Sequence, residues 1–202
     1  MKILTLRYAA VLTFSAALFT GCVSDEDTEL PNYTPVVLGQ DFNQGADNTV
    51  LEIEGWLNYA QEGTALWEIQ QFSGNGYAEF SSFQSPDATN IGWLISPAFT
   101  LEENNSRNLR FQASQSFVSS PANSLQVLVS TNFDGTNVED ATWTPVEANL
   151  PGTDAEYFEF LDSGAISLAG FSGTAYVAFK VTGSGTNTSL DGSYQVDNVR
   201  VY

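Results

Sequence analysis

The side chains available for chemistry in this chain are carboxylates, amides, hydroxyls, aromatics and a single thiol. Its 202 residues include 24 Asp and Glu, six Lys and Arg, one Cys and no His. Without histidine, Ser-His-Asp and Cys-His catalysis and His-ligated metal sites are excluded. One cysteine excludes an internal disulfide and a Cys-rich zinc cluster. What remains is calcium binding through oxygen atoms, sugar binding, or at most a carboxylate pair.

Carboxylate catalysis is not indicated by any spacing in the sequence. A glycosidase needs two acids about 5–9 Å apart with separated pKa values, and among 24 acids some pair will always meet that distance. The sequence has no Gly-rich phosphate loop, Ser-x-x-Lys or nucleophile elbow, and its only lysines are Lys2 and Lys180. We therefore predict that the protein is not an enzyme, with a carboxylate-dependent glycoside hydrolase as the least favoured function.

The charge balance excludes whole classes of partner. The formal net charge is −18, and removal of Lys2 and Arg7 with the predicted signal peptide leaves four bases against 24 acids, a charge of −20. Such a charge repels phosphate backbones, so we predict no nucleic-acid partner. It also argues against a polybasic membrane-binding patch.

Residues 1–22 are typical of a secretory signal peptide. Lys2 and Arg7 provide the positive start, and Tyr8–Thr20 is an apolar run of about 13 residues, too short to span a bilayer. Cys22 follows Phe19-Thr20-Gly21, which resembles the bacterial lipobox, although Phe19 stands where that motif prefers Leu. We predict that Cys22 is lipidated and carries palmitate, since several acyl chains give stable anchoring. The alternative is an ordinary cleaved signal followed by a chance free cysteine.

Residues 23–35 are predicted to form an acidic, disordered tether. The run Asp25-Glu26-Asp27 directly follows the lipobox cysteine, and the stretch carries little that could enter a core. An acidic run at this place resembles the surface-export signal of Bacteroidetes lipoproteins. We therefore expect a cell-surface lipoprotein, anchored in the outer-membrane lipid through Cys22 and facing the extracellular side. The alternative is a merely solvated linker.

Residues 36–202 have the pattern of an all-β domain. Alternation is clear where Leu109, Phe111 and Ala113 share one face of a predicted strand. Turn sequences such as Ser73-Gly-Asn-Gly76 recur between the apolar runs. About a dozen short strands suggest a single antiparallel β-sandwich of jelly-roll type. The predicted strands are Val36–Phe42, Leu51–Tyr59, Leu66–Phe72, Tyr77–Phe83, Gly92–Ile95, Asn108–Phe117, Ser124–Thr131, Thr142–Val146, Tyr157–Phe160, Ala165–Leu168, Ala175–Val181 and Tyr194–Val201.

A series of landmarks along residues 36–202 carries a family resemblance. The landmarks are Gln40-Asp41-Phe42, Gly55-Trp56, Gly63…Trp67, Gly92-Trp-Leu-Ile-Ser-Pro97, Leu109-Arg-Phe111, Leu125–Gly135, Ala141-Thr-Trp-Thr144, Ala165–Leu168, Phe171-Ser-Gly173, Ala175–Val181 and Val196-Asp-Asn-Val199. In this order they resemble the choice-of-anchor J domain, which is related to the cleaved-adhesin and MAM-like jelly rolls. The resemblance implies a galactose-binding-like β-sandwich on an exported bacterial protein, and it implies no single activity.

The resemblance also implies a calcium site. Related jelly rolls often hold a structural calcium between the first and last strands, which here points to Asp41 and Asp197 as ligands, with Asn43 or backbone carbonyls completing the shell. The alternative is that Asp197 and Asn198 form a bulge and that Asp41 is simply solvated. The oxygen-rich loop from Asp134 lacks the register of an EF-hand and is interpreted as a hairpin turn.

Two functions remain open at this stage. The first is a non-catalytic surface module that binds a glycan, such as a polysaccharide, or an extracellular protein partner. The second is a structural or assembly subunit of an outer-membrane complex. Four tryptophans could stack on sugar rings and so form a binding platform. However, all four fall on the landmarks, where aromatic residues more often pack in the core: Trp56, Trp67, Trp93 and Trp143. Tyr59, Phe72, Tyr77, Phe83 and Tyr157 lie away from the landmarks, and any of them can equally pack beneath a loop.

The lipid anchor is tested by Cys22→Ser. The substitution removes the thiol that accepts the diacylglyceryl group, so we expect the protein to leave the membrane fraction or to retain its signal peptide. Cell fractionation followed by immunoblotting measures both outcomes. A variant that still sediments with membranes as a mature protein would show that Cys22 is not the anchor.

Overall fold

A computed structural model describes residues 35–202, which form two antiparallel β-sheets packed face to face. The predicted signal peptide, Cys22 and residues 23–34 of the predicted tether lie outside the described residues. Among residues 35–202, no helix is long and apolar enough to cross a membrane. The predicted all-β class and sandwich architecture are confirmed.

Within residues 35–202, fourteen strands and one short 3-10 turn, Val138–Asp140, make up the regular structure. The strands are β1 Leu38–Gln40, β2 Thr49–Val50, β3 Leu57–Glu62, β4 Trp67–Phe72, β5 Asn75–Ser81, β6 Asn90–Ile95, β7 Phe99–Leu101, β8 Asn108–Ser116, β9 Ser124–Ser130, β10 Thr144–Pro145, β11 Leu161–Asp162, β12 Ile166–Ser167, β13 Gly173–Gly183 and β14 Ser193–Val201. The first sheet has the order β11-β8-β14-β5-β4-β2, with β1 beside β14 and β12 beside β8. The second sheet has the order β10-β9-β13-β6-β3, with β7 beside β13.

The core lies between the sheets and is built from the alternation predicted for the long strands. Side chains at every second position of β8, β9 and β13 are buried in one cluster. Phe111 on β8 and Phe179 on β13 meet across the two sheets edge to face, with ring centroids 5.0 Å apart. Such a pair adds about 0.5–1.5 kcal/mol to the stabilisation that comes from burying the rings.

The β4–β5 hairpin shows how a predicted turn fixes a register. Phe72 pairs with Asn75, so the loop has two residues, Ser73 and Gly74. Both have positive φ, 52° and 84°. This is the geometry of the type I′ turn, whose twist matches that of the flanking strands.

A β-bulge interrupts β14 at Asp197 and Asn198. The register with β8 shifts between Asp197 and Arg200, and Asn198 has a φ of 52°. The extra residue explains why Val196 and Val199, three positions apart, are both buried in the core.

One predicted strand is wrong over most of its length and another is wrong throughout. The prediction Leu51–Tyr59 is correct for residues 57–59, which begin β3, but the chain turns over residues 51–56: Gly55 has a φ of 81°, and the amide of Trp56 donates to the carbonyl of Ile53. The prediction Tyr157–Phe160 fails because Phe158 adopts a φ of 60°, which breaks an extended chain. Conversely, the short strands β2, β7 and β11 are absent from the sequence-based prediction.

Gly92 on β6 is required by the packing between the sheets. A Cβ at this position would lie 1.9 Å from Cε2 of Phe80, a fully buried ring that packs against Trp67. We expect Gly92→Ala to lower the free energy of unfolding by about 1–3 kcal/mol, the usual cost of overpacking. Urea denaturation measures the change.

The matched control is Gly170→Ala, because no atom lies within 4 Å of a Cβ built at Gly170. Equal free energies of unfolding for the Gly92→Ala and Gly170→Ala variants would show that the Phe80 ring can move aside without loss of stability.

Candidate functional site

The outer face of the second sheet is apolar and closed. Trp93 on β6 packs against Trp143 with ring centroids 5.3 Å apart, and Phe133 packs against Trp143 at 5.4 Å. The β9–β10 connection, residues 131–143, covers this cluster. Asp134 holds the connection in shape by accepting four hydrogen bonds from within it, which keep the pKa of Asp134 well below its usual range. The loop is therefore a hairpin connection, as interpreted from the sequence.

The outer face of the first sheet is polar. Pairing of β14 with β5 and β8 places Ser193 between Ser81 and Ser116 in one row across three strands. The next row contains Gln195, which lies between Glu79 and Ser114. These rows follow from the alternation, because the residues between them, such as Tyr194 and Val196, face the core.

Hydrogen bonds link the two rows into one network. The side-chain amide of Gln195 donates to Oε2 of Glu79 at 2.6 Å and to the Ser193 hydroxyl at 3.1 Å. The Ser114 hydroxyl donates to Oε1 of Gln195 at 2.7 Å, and the hydroxyls of Ser116 and Ser193 are 2.7 Å apart. Gln195 and Ser114 are fully buried, so these polar groups are satisfied without water.

Aromatic rings cover one end of this face. Tyr77 lies on β5, and Phe160 directly precedes β11, which is on the far side of β8. Their rings nevertheless pack together, with ring centroids 5.5 Å apart. The two side chains therefore reach over β14 and β8 from opposite sides. Their contact covers the face beyond the Gln195 row; in the Ser193 row Ser81 is half-buried, whereas Ser116 and Ser193 are buried.

A groove of about 650 Å³ opens over the Ser193 row. It is lined by Glu79, Ser81, Phe83, Ser116, Phe117, Ser119, Tyr157, Phe158, Thr188, Asp191, Gly192 and Ser193. Four of these are large aromatic side chains that remain 49–64% exposed: Phe83, Phe117, Tyr157 and Phe158. Exposed rings gathered around one concave surface are the composition expected of a binding site.

A second cavity, of about 310 Å³, continues the groove across β5. The two share Glu79, Ser81 and Phe83 as lining residues, and the second extends to Glu68 on β4 and Thr64 in the connection before it. The groove and this cavity therefore form one cleft that runs across the strands of the first sheet.

Two of the groove aromatics sit in strained backbone. Phe117 and Phe158 both have a φ of 60°, a region that bulky residues rarely occupy. The rings of Phe117 and Tyr157 pack against each other, with ring centroids 4.7 Å apart. Non-glycine residues held in such conformations cost about 1–3 kcal/mol each and cluster at binding sites.

Gln115 and Gly192 enforce this backbone. The side chain of Gln115, fully buried, accepts from the amide of Val118 at 3.0 Å and donates to the carbonyl of Ala155 at 2.6 Å. It therefore ties the turn carrying Phe117 to the segment carrying Tyr157. Gly192 permits the close approach, since a Cβ there would lie 2.7 Å from the carbonyl carbon of Phe117.

The cleft is electrostatically negative. Its charged lining residues are Glu68, Glu79 and Asp191, and neither Lys nor Arg is among its lining. Burial raises the pKa of Glu79, the charge of Glu68 raises it further, and hydrogen bonds from Gln195 and Ser193 lower it in part. The cleft therefore disfavours anionic ligands.

Asp41 and Asp197 lie in a separate region, where β1 and β14 pair. Asp197 is 2% exposed; its Oδ1 accepts from the amide of Asn198 at 2.6 Å, and its Oδ2 accepts from the side chain of Asn75 at 2.9 Å. Burial raises the pKa of Asp197, and the charge of nearby Asp41 raises it further. Asp41 itself is exposed, and its hydrogen bonds with Asn43 lower its pKa.

The donor set in this region fits a hard cation in part. It combines a buried carboxylate with a second carboxylate within electrostatic reach, but the side-chain amides of Asn75 and Asn198 turn their N–H groups to Oδ2 of Asp197, and Arg200 lines the cavity beside Asp41 and Asn198. Within residues 35–202 no cluster of three or more Asp, Glu, His or Cys side chains has metal-binding geometry. A cation here would therefore depend on two carboxylates plus amide and carbonyl oxygens. Asn43 instead accepts from the amide of Gly76 at 2.6 Å.

The aromatic residues divide differently from the sequence-based expectation. Trp67 and Trp93 are buried and Trp56 and Trp143 are half-buried, and all four pack in the hydrophobic clusters. The groove is lined instead by Phe83 and Tyr157, which lie away from the landmarks. It is also lined by Phe117 and Phe158, and the sequence analysis named neither of these as a candidate. Phe117 carries one usable signal, since it directly follows a strand with alternating serines on its outer face.

No family model matches the sequence, and comparison with curated proteins returns no match. Solved structures do show similarity. The K2 cleaved adhesin domain of Lys-gingipain has a TM-score of 0.50 and 14% identity, covering 82% of this chain and 97% of that domain. The K3 domain of Lys-gingipain from Porphyromonas gingivalis has a TM-score of 0.49 and 18% identity, covering 83% and 99%. The CBM22-1 xylan-binding domain of Paenibacillus barcinonensis Xyn10C has a TM-score of 0.47 and 12% identity, covering 83% and 93%.

At this level of identity, the similarity to the K2 domain shows a shared fold and no shared function. It supports the cleaved-adhesin part of the predicted resemblance, because the jelly-roll sandwich spans nearly the whole of both domains. Membership of the choice-of-anchor J family stays a prediction.

Glu79 is expected to destabilise the protein in its charged form. Because its pKa is raised on folding, the folded state binds this proton more readily than the unfolded chain, so the contribution to stability falls as pH rises through the folded pKa. Glu79→Gln removes the charge and keeps an oxygen that accepts from Gln195. We expect a higher melting temperature for the variant at neutral pH and a difference that closes on acidification.

Thermal melts followed by circular dichroism across a pH series measure this difference. Glu103→Gln, at an exposed position, removes the same charge elsewhere and controls for the overall charge of the chain. A Glu79→Gln variant that is less stable than the native protein at neutral pH would contradict the assignment.

Proposed function

We propose that this protein is a non-catalytic binding module whose ligand is a glycan held in the cleft of the first sheet. The observation that carries the proposal is the groove of about 650 Å³ with four exposed aromatic side chains over a floor of serine hydroxyls.

The lining of the groove matches the two surfaces of a sugar ring. The exposed faces of Phe117 and Tyr157 can stack against the C–H faces of a pyranose. Ser81, Ser119 and Thr188 line the groove without being buried, and their hydroxyl groups can donate to or accept from sugar hydroxyls. Small-molecule sites combine apolar walls with a few placed polar groups in the same way.

The serines of the floor are occupied by the hydrogen-bond network. The hydroxyls of Ser116 and Ser193 hydrogen-bond each other and Gln195, and Ser193 also hydrogen-bonds Glu79. No histidine, lysine or arginine lines the cleft, so it holds no Ser-His or Ser-Lys pair. We propose binding because exposed aromatic rings form much of the accessible surface of the groove.

We further propose that the module is presented at the cell surface by a lipid on Cys22. The support is the sequence alone: a lipobox-like cysteine after a short apolar run, followed by Asp25-Glu26-Asp27. A lipid-anchored glycan-binding module on the extracellular face would have direct access to polysaccharides. The fractionation experiment on Cys22→Ser tests the anchor.

We also propose a structural calcium ion between Asp41 and Asp197. Asp197 is buried without a basic partner: the ion pair between the described side chains joins Arg110 and Asp162. Calcium would supply the missing positive charge and connect β1 to the bulge of β14.

Single substitutions of groove aromatics test the glycan proposal. Screening the full chain, purified in detergent, against a glycan array identifies the ligand. Calorimetric titration of Phe117→Ala and Tyr157→Ala should then show about tenfold weaker binding for each, equal to about 1.4 kcal/mol, because each removes one stacking face.

Phe72→Ala is the matched control, because Phe72 is 75% exposed at the β4–β5 hairpin and lies outside the cleft. It should leave the affinity unchanged. Absence of binding to every glycan, or equal losses in the Phe72 and groove variants, would contradict the proposal.

Calcium is tested by the melting temperature of the full chain. Millimolar calcium should raise it and chelator should lower it, since a ligand at a hundredfold excess over Kd adds about 2.7 kcal/mol. Magnesium should do less, because it resists dehydration and needs a tighter octahedral shell. Asp197→Ala should abolish the difference between the ions, whereas the exposed Glu103→Ala should not. Equal shifts with both ions in the native protein would mean screening and no dedicated site.

A further inference from the structure

The carboxylate of Glu79 occupies a central position in the cleft. It lines both the groove and the adjoining cavity, so every ligand that spans the two must pass it. The Gln195 amide fixes Oε2 at 2.6 Å, and this amide is in turn held in place by the buried hydroxyls of Ser114 and Ser193. Glu79 is therefore a rigidly placed negative charge in the floor.

This charge has no cationic partner within the cleft. The lining residues include neither Lys nor Arg, and the other charged lining residues, Glu68 and Asp191, have the same sign. Burying part of a carboxylate without an opposite charge is unfavourable. Burial and Glu68 both raise the pKa of Glu79, in keeping with this environment.

The aromatic side chains around Glu79 also favour a cation. Phe83 lines both cavities together with Glu79, and Tyr157 and Phe158 line the groove on the opposite side. The faces of aromatic rings attract ammonium groups within about 6 Å of the ring centroid. An exposed aromatic wall next to an unpaired carboxylate is therefore complementary to a positively charged group carried by the ligand.

We propose that the cleft recognises a glycan containing free amino groups, with an ammonium group placed against Glu79 and the sugar faces on the aromatic side chains. The inference rests on the proposed glycan-binding function and names its substrate class. Serine hydroxyls along the floor favour a hydroxyl-rich chain over a basic peptide. Uronic or sulfated sugars are repelled by Glu68, Glu79 and Asp191.

The test compares three oligosaccharides of equal length and identical β-1,4-linked backbone: glucosamine, N-acetylglucosamine and glucose oligomers. Calorimetric titrations use the full chain in detergent at physiological salt and at a pH above the pKa of the Glu79 carboxyl and below that of the sugar amine. We expect the glucosamine oligomer to bind at least tenfold more tightly than either neutral oligomer.

Two charge-matched variants locate the effect. Glu79→Gln should reduce the preference for the glucosamine oligomer, measured within the variant as the ratio of its affinity to that of the neutral oligomers, to about twofold or less. Glu103→Gln, which removes an exposed charge outside the cleft, should keep the full preference. Equal loss of the preference in both variants would overturn the proposal, because it would then reflect the net charge of the chain.

The remaining outcomes separate this inference from the proposed function. Equal affinity of the native protein for all three oligomers overturns the amino-sugar assignment and leaves a glycan-binding module. Absence of binding to any glycan overturns both. An oligolysine peptide that binds as tightly as the glucosamine oligomer, and loses affinity in Glu79→Gln, overturns the glycan in favour of a basic peptide.

Discussion

The pairing of β14 with strands on both sides is the constraint on which the rest of the structure depends. Its ladder with β8 on one side and with β5 and β1 on the other joins residues between 77 and 163 positions apart in sequence. Because side chains alternate along β14, one register places Tyr194 and Val196 in the core and Ser193 and Gln195 on the outer face. A slip by one residue would remove the core contacts and the floor of the cleft together. The core and the candidate site are thus set by the same hydrogen bonds.

The strands that could be predicted from the sequence are those with local, regular alternation. Strands β8, β9 and β13 bury alternate apolar residues, and their limits are correct to within about two residues. The errors fall where backbone conformation departs from the residue preference. Gly55 turns an apolar stretch that has the composition of a strand, and Phe158 takes a left-handed conformation that no local pattern for phenylalanine indicates. Short strands such as β7 owe their existence to a partner strand and have little local pattern of their own.

The candidate site was less predictable than the fold because it is assembled from distant residues. The serines of the floor come from positions 81, 116 and 193, and only the sheet register shows that they form a row. The predicted pair Asp41 and Asp197 does fall where β1 meets β14, but whether it holds calcium depends on oxygen geometry that residue types do not specify. Composition shows that aromatic residues are abundant, but it does not show which of them are exposed. The tryptophans pack in the hydrophobic clusters, whereas three phenylalanines and one tyrosine line the groove. Exposure follows from loop conformation, which Gln115 and Gly192 impose through contacts far apart in sequence.

The left-handed backbone at Phe117 and Phe158 has a consequence for how the sequence can change. Glycine or asparagine would occupy both positions with less strain, so selection for stability alone would replace these phenylalanines. At these two residues, backbone stability and the aromatic lining of the groove therefore make opposite demands. A lineage that no longer needs the groove would be free to drift toward a more stable and smoother first sheet. Substitutions chosen to raise thermal stability by relieving backbone strain would replace Phe117 and Phe158 first. They would remove the binding surface while leaving the core between the sheets intact.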